Sequence, residues 1–129
     1  MAYIKLFFTA NDVQVSAAPT LTNAVTFTLR ADLDEVGTPI GLYAEADASY
    51  SVATTTITPT GTTATKWALA PDNGGSPGAF GAYGAPLVLG TVTASPHVPF
   101  WVKAKAVNTE IPVNDAGVTL EVTGVASAV

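Results

Sequence analysis

Apolar and polar residues alternate with a period of two along much of this chain. In the stretch AVTFTLR, for example, polar residues separate Val25, Phe27 and Leu29. Side chains on a β-strand point alternately to opposite faces, so this pattern is typical of a strand with one face in the core and one in solvent. We therefore predict a half-buried antiparallel strand in this stretch.

The same alternation returns in two later segments of the sequence. In FWVKAKA, residues 100–106, the apolar phase begins at Phe100 and leaves Trp101 on the opposite face. In VTLEV, residues 118–122, the apolar phase is formed by every second residue. Residues in these apolar phases should lie in the core. The predicted core residues are Val25, Phe27, Leu29, Phe100, Val102, Leu120 and Val122.

Five further segments have the composition of strands and are bounded by turn signals such as PTGT. No segment combines helical spacing of apolar residues with caps at both ends, although RADLDEV suits one short turn. Closely spaced strands without intervening helices predict an all-β fold, an antiparallel two-sheet β-sandwich of the immunoglobulin-like or jelly-roll type. The further predicted strands are 3–9, 40–46, 50–58, 64–70 and 86–93.

Length and charge limit the classes of function. A chain of 129 residues suits a single domain, over residues 1–129, with a real hydrophobic core. Charged residues make up only 12% of it, so much of the surface must be Thr, Ser, Ala and Gly, or be covered by other subunits. The net charge of -5 disfavours binding to nucleic acid or to anionic membranes.

Residue types that carry most catalytic and metal chemistry are scarce. The chain has no cysteine and a single histidine, His97, which lies between prolines in SPHVPF. The sequence has no G-x-S-x-G nucleophile motif and no evident catalytic or metal-ligating partners for His97, so this residue is interpreted as structural or surface. We expect no catalytic residue and no cofactor. No basic leader and no apolar run of about 18 residues occurs, so we expect neither a signal peptide nor a membrane span.

Asp32, Asp34 and Glu35 form the densest acidic group of the sequence, in ADLDEVG. Carboxylate oxygens at this spacing can contribute to a Ca²⁺ site, but the D-x-[DN]-x-[DN]-G pattern of a calcium loop is absent. We expect a solvated acidic turn and no bound metal, with calcium binding as the open alternative.

Two tryptophans permit a further interpretation. Trp67 and Trp101 together would form a platform on which a sugar ring can stack, as in a carbohydrate-binding module. The competing interpretation puts Trp67 in or near the core and Trp101 on the outward face beside lysine stems. Leu69 and Thr65 share the face of Trp67 in the predicted strand, which favours the second interpretation for Trp67.

The most unusual segment is PDNGGSPGAFGAYGAP, residues 71–86. It lacks the G-x-x-x-x-G-K-[ST] pattern and the following helix of a phosphate-binding loop. It remains either a surface loop between two strands or a contact arm, in which small residues let the backbone lie against another protein while Phe80 and Tyr83 act as anchors. We predict an assembly arm, with Phe80, Tyr83, Pro77 and Trp101 as interface residues.

Three runs, GTTATKWALAPD, GSPGAFGAYG and FWVKAKAVNTEIPVNDAGVTLEV, resemble small β-sandwich virion proteins of tailed bacteriophages, such as capsid decoration and tail proteins. This resemblance covers mainly the second half of the chain. It implies a non-enzymatic structural role on the outer surface of the virion, through association with copies of the chain and with a capsid or tail lattice. Two alternatives share the same composition, namely an extracellular filament subunit and a carbohydrate- or receptor-binding module.

Overall fold

The fold consists of two antiparallel β-sheets packed face to face. The structure is a computed structural model that describes residues 4–15, 25–30, 33–106 and 118–129. A short 3₁₀ turn, Ala64–Lys66, precedes the fourth strand. None of the helical segments in these ranges has the length and apolar character needed to cross a membrane. The strands are β1 (Ile4–Phe8), β2 (Ile40–Ala46), β3 (Tyr50–Gly61), β4 (Trp67–Pro71), β5 (Leu87–Thr93), β6 (Val98–Ala104) and β7 (Val118–Ala128).

Counting only described residues, one sheet has four strands in the order β1-β2-β6-β4, and the other has three in the order β5-β3-β7. Every strand pair is antiparallel. After β2, each successive strand lies in the opposite sheet, so the chain repeatedly crosses the sandwich. The predicted all-β architecture of two antiparallel sheets is confirmed.

The core lies between the two sheets and is built from the inward phase of each strand. Phe100 and Val102 of β6 are completely buried, as their alternation predicts. Val25, Phe27, Leu120 and Val122 are half-buried and pack against this core. The other large side chains that are completely buried come from segments whose sequence pattern is weaker, namely Leu42, Val52, Thr55, Ile57 and Val92.

The stretch AVTFTLR departs from the prediction. Residues 25–30 keep the alternation of half-buried and exposed side chains, yet they belong to neither sheet. Phe27 packs edge-on against Trp67, with ring centroids 5.2 Å apart and the planes at 77°. Leu29, predicted in the core, lies outside the core cluster and beside Gly37. The alternation here records packing of one side of an extended segment on the core, without strand pairing.

The central strand of the three-stranded sheet contains a β-bulge. Between Ala53 and Thr56, β3 advances three residues while β7 advances two, so the extra residue belongs to β3. Thr54 adopts a left-handed backbone with φ of 51°, and the buried Thr55 hydroxyl donates to the carbonyl of Val52 at 3.0 Å. This local hydrogen bond satisfies a polar group that would otherwise be buried without a partner.

Candidate interaction surface

Loop 71–86 lies along the outer edge of β4. Its glycine amides donate to β4 carbonyl oxygens at regular intervals. A side chain at Gly78 would lie 3.1 Å from the Pro71 carbonyl oxygen, and Gly84 adopts a φ of +87°, so both positions favour glycine. The loop backbone is therefore bound to its own sheet, where it covers an edge. The hydrogen bonds are Gly78 to Pro71 (2.8 Å), Gly81 to Leu69 (3.1 Å) and Gly84 to Trp67 (2.7 Å).

The tip of this loop is a closed turn. The amide of Asn73 donates to the carbonyl of Ser76 at 2.7 Å, and the amide of Gly75 donates to an oxygen of Asp72 at 3.2 Å. Asp72 and Pro77 face each other in an isolated β-bridge. Pro77, one of the predicted interface residues, therefore stands at the base of the turn, half-buried.

Phe80 and Tyr83 extend from the loop over two lysines of the four-stranded sheet. The ammonium of Lys103 lies 4.3 Å from the centroid of the Phe80 ring and 5.6 Å from that of Tyr83. The ammonium of Lys105 lies 4.3 Å from the Tyr83 centroid. Each such cation–π contact stabilises the arrangement by about 0.5 to 1 kcal/mol near solvent. The two rings are half-buried on their own subunit, and their contact with a neighbouring subunit stays a prediction.

Trp101 projects from the outward phase of β6, between the buried residues on either side of it. Its indole Nε1 donates to Asp72 at 2.9 Å, and its six-membered ring lies over Gly41 of β2. The second oxygen of Asp72 accepts the amide of Gly75. Asp72 thus joins the loop tip to Trp101 and holds the indole in one orientation.

These contacts bring the four predicted interface residues, Pro77, Phe80, Tyr83 and Trp101, to one face of the four-stranded sheet, which we call the ring face. Sequence reasoning put the lysine stems beside Trp101, because the alternation in FWVKAKA places them on the same face. It missed Asp72, and it missed the contacts of the two lysines with Phe80 and Tyr83.

A second aromatic group lies across β1 and β2 on the same sheet. Tyr43 stacks on Phe7, with centroids 5.2 Å apart, and on His97, with centroids 4.0 Å apart. The Tyr43 hydroxyl donates to Asp12 at 2.9 Å. His97 itself is exposed, in agreement with its interpretation as a surface residue.

The environment of Tyr43 favours its neutral form. Burial raises the pKa of its hydroxyl, and the hydrogen bond to Asp12 and the negative charges of Asp12 and Glu45 raise this pKa further. The proton is therefore held more tightly in the folded chain than in the unfolded chain, where a tyrosine pKa is about 10. This contribution to stability is complete below about pH 10 and is lost as the pH rises through the higher pKa of the folded state.

We expect Tyr43→Phe to make the chain less sensitive to alkali. Urea unfolding at about pH 8 and about pH 11 should give a larger loss of stability in the wild type than in the variant, because the variant has no proton to lose at this position. The remaining tyrosines are common to both proteins, so their titration cancels in the comparison. An equal alkaline loss in both proteins would contradict the assignment.

The two tryptophans lie on opposite faces of the four-stranded sheet. Trp67 packs inward against the core, whereas Trp101 faces outward. In the β4–β6 register, Trp67 is opposite Ala104 and Ala70 is opposite Trp101, so the two indoles have opposite phases. A shared sugar-stacking platform is therefore excluded.

The acidic turn ADLDEVG is described only in part, because Asp32 lies outside the described residues. Asp34 has a left-handed backbone with φ of 49°, and a carboxylate oxygen of Glu35 accepts the amide of Arg30 at 3.2 Å. In the part of the chain that the structure describes, no three His, Asp or Glu side chains are grouped so as to hold a metal ion.

Comparisons with protein-family models, with curated proteins and with solved structures give no match to this chain. The ring face is therefore interpreted from its own residues alone.

Proposed function

We propose that this chain is a non-enzymatic structural protein of a tailed-bacteriophage virion, a capsid decoration or cement protein or a tail protein. In this role it associates with copies of itself and with a larger lattice on the outer surface of the particle. The observation that most supports this proposal is the ring face, where loop and sheet hold Phe80, Tyr83 and Trp101 on one side of the sandwich.

The side chains of the ring face are held in a fixed arrangement, which makes the face suitable for binding a protein surface. The loop that carries Phe80 and Tyr83 is already hydrogen-bonded along β4, so docking costs little further conformational entropy. Half-buried aromatic rings beside an ordered indole are typical anchors of protein interfaces. The face therefore favours adhesion to a macromolecule.

Charge indicates the kind of surface that the ring face contacts. Lys103 and Lys105 are two of only five basic residues in a chain of net charge -5. Among the described residues, neither forms a salt bridge with a carboxylate; their ammonium groups lie over rings instead. An acidic patch on the lattice would supply the missing charge partners, and electrostatic attraction would orient the chain as it docks.

The virion role predicts a fixed number of copies in each particle. Particles from the source cell are purified on a density gradient, and the chain is quantified by mass spectrometry relative to the major capsid protein. A constant ratio across the particle peak is expected. Recovery of the chain only in particle-free fractions would overturn the virion assignment.

The double variant Phe80→Ser with Tyr83→Ser tests the ring face. We expect its occupancy on particles to fall about tenfold or more, because two anchor rings are lost from the contact. The fold should lose about 1.5 to 3 kcal/mol, the approximate sum of the three cation–π contacts that the two rings make. Occupancy is measured on gradient-purified particles and stability by urea unfolding.

Val88→Ser is a matched control for the ring variants. Val88 is 67% exposed on the three-stranded sheet, so its replacement also removes exposed apolar surface, but away from the ring face. Occupancy should stay at the wild-type level. Equal occupancy of the double variant and the wild type would exclude the ring face as the contact, and collapse of the fold would show that the rings belong to the subunit's own core.

A further inference from the structure

Strand β7 forms a long outer edge of the three-stranded sheet. It spans eleven residues, Val118–Ala128, and among the described residues it pairs with β3 alone. An edge strand presents unpaired amide and carbonyl groups along its free side. In the described part of the chain, β7 therefore has a row of backbone groups available to pair with another strand.

The other sheet edges are covered or irregular. Residues 13–15 cover β1, where Phe8 donates to Val13 at 2.9 Å and Val15 donates to Leu6 at 2.9 Å. Loop 71–86 covers β4. Strand β5 is bulged against β3 near Gly90, which has a φ of +80°. Bulges and coverings are the devices by which proteins prevent pairing at an edge.

Within residues 4–15, 25–30, 33–106 and 118–129, no bulge or covering segment protects strand β7 in this way. The bulge in its pairing with β3 lies on β3, so β7 itself continues without an inserted residue. Its sequence, VTLEVTGVASA, contains no lysine and no proline, and Glu121 is its only charged residue. Its inward side chains Val118, Leu120 and Val122 are only half-buried, so the apolar layer of the sheet is incomplete at this edge.

We propose that two copies of the chain pair through β7, antiparallel about a twofold axis at Thr123, so that their three-stranded sheets join into one six-stranded sheet. This inference rests on the proposed structural role and names the surface of self-association. It uses the edge of the three-stranded sheet, which is separate from the ring face on the four-stranded sheet.

A second copy is the occupant that matches the pattern of this edge. An incoming strand must place apolar side chains toward the core and polar ones toward solvent in the same phase as β7, and β7 itself has this alternation. With the axis at Thr123, residue 118 faces residue 128 of the second copy, so all eleven residues are paired. Inward residues then face inward residues, as antiparallel pairing requires.

The same register avoids repulsion between like charges. Glu121 faces Val125 of the second copy, a residue that is 63% exposed in the single chain. The two Glu121 side chains are four positions apart along the strands, roughly 14 Å at the rise of a β-strand. This separation exceeds the Debye length of about 8 Å at physiological salt, so their repulsion is largely screened.

Two substitutions on one face of one strand test the register. Thr123→Lys puts two ammonium groups directly opposite each other on the axis, whereas Thr119→Lys puts them eight positions apart, roughly 27 Å. Both threonines are exposed, so both variants should fold. Sedimentation velocity over a range of concentrations is expected to show a dimer for the wild type and for Thr119→Lys, and a dissociation constant raised about tenfold or more for Thr123→Lys.

Mixing complementary variants provides the second measurement. Thr123→Glu alone should be as weakly dimeric as Thr123→Lys, and an equimolar mixture of the two should restore the dimer, because opposite charges then meet on the axis. Restored pairing would show that both variants are folded. A monomeric wild type, or equal dissociation constants for Thr123→Lys and Thr119→Lys, would overturn the proposal.

The proposed β7 pairing and the proposed virion role can be contradicted independently of each other. A chain that stays monomeric in solution but is found in particles at a fixed ratio would overturn the β7 pairing alone. A chain that dimerises in the predicted register but is absent from particles would overturn the virion role alone.

Discussion

Replacing Phe100 by alanine is expected to lower the free energy of unfolding by about 3 to 5 kcal/mol. Phe100 is completely buried, and among the completely buried side chains in the described ranges it is the largest. It lies on β6 between Leu42 of β2 and Pro71 of β4, so its ring is held at the middle of the four-stranded sheet. Because the backbone around it is fixed by strand pairs on both sides, a cavity there cannot easily collapse. Urea unfolding followed by tryptophan fluorescence measures the loss.

Phe27→Ala is the matched control, since the same side chain is removed from a different environment. Phe27 is half-buried on a segment outside both sheets, and it contacts Trp67 edge-on. We expect Phe27→Ala to lower the free energy of unfolding by roughly half as much as Phe100→Ala does, because Phe27 buries less area and its segment can relax. A larger loss at Phe27 than at Phe100 would contradict the core as described.

Gly124→Ala should lower the free energy of unfolding by about 1 to 3 kcal/mol. A Cβ at this position of β7 would lie 2.6 Å from Cγ1 of Val52 and 3.0 Å from the carbonyl oxygen of Ala53. Val52 is completely buried, so its side chain has little room to move away. Overpacking of this kind forces neighbouring side chains or the backbone to shift. Thermal melting and urea unfolding of the two proteins measure the effect.

A double-mutant cycle isolates the contact responsible. In a Val52→Ala background, the atom nearest to the added Cβ is gone, so Gly124→Ala should cost less than it does in the wild type. The contact with the Ala53 carbonyl remains, so part of the cost should persist. Strictly additive effects of the two substitutions would show that Val52 does not limit the space at residue 124.

Local alternation was sufficient to predict much of the sheet structure. Strand β2 occupies residues 40–46, the range expected from sequence, and β6 buries Phe100 and Val102 in the predicted phase. Strand β7 extends to Ala128, beyond the predicted end at residue 122, because Gly124 and the small residues that follow weaken the apolar pattern without interrupting the strand. Residues 64–66 form a 3₁₀ turn in place of the predicted start of β4.

Features that depend on contacts between distant segments could not be predicted from the sequence. Alternation reports which side of a segment is buried, and it cannot distinguish a strand of a sheet from the packing of residues 25–30, which belong to neither sheet. In the ring face, the aromatic anchors stand out by composition, but Lys103 meets Phe80 only because loop 71–86 folds back on β4. Likewise, the opposite phases of Trp67 and Trp101 follow from the register between β4 and β6.

The closed turn of residues 72–77 provides a site at which a foreign peptide can be inserted. Gly74 and Gly75 contact nothing within 4 Å of where a side chain would begin, and the ends of the turn are held together by the Asn73 to Ser76 hydrogen bond and the bridge between Asp72 and Pro77. A peptide grafted between the two glycines would leave the sheet and return to it at adjacent points, so it would add little loop-closure entropy to folding. Because Asp72 and Pro77 join this turn to the ring face, grafts of increasing length would report how closely the turn approaches the surface that the ring face contacts.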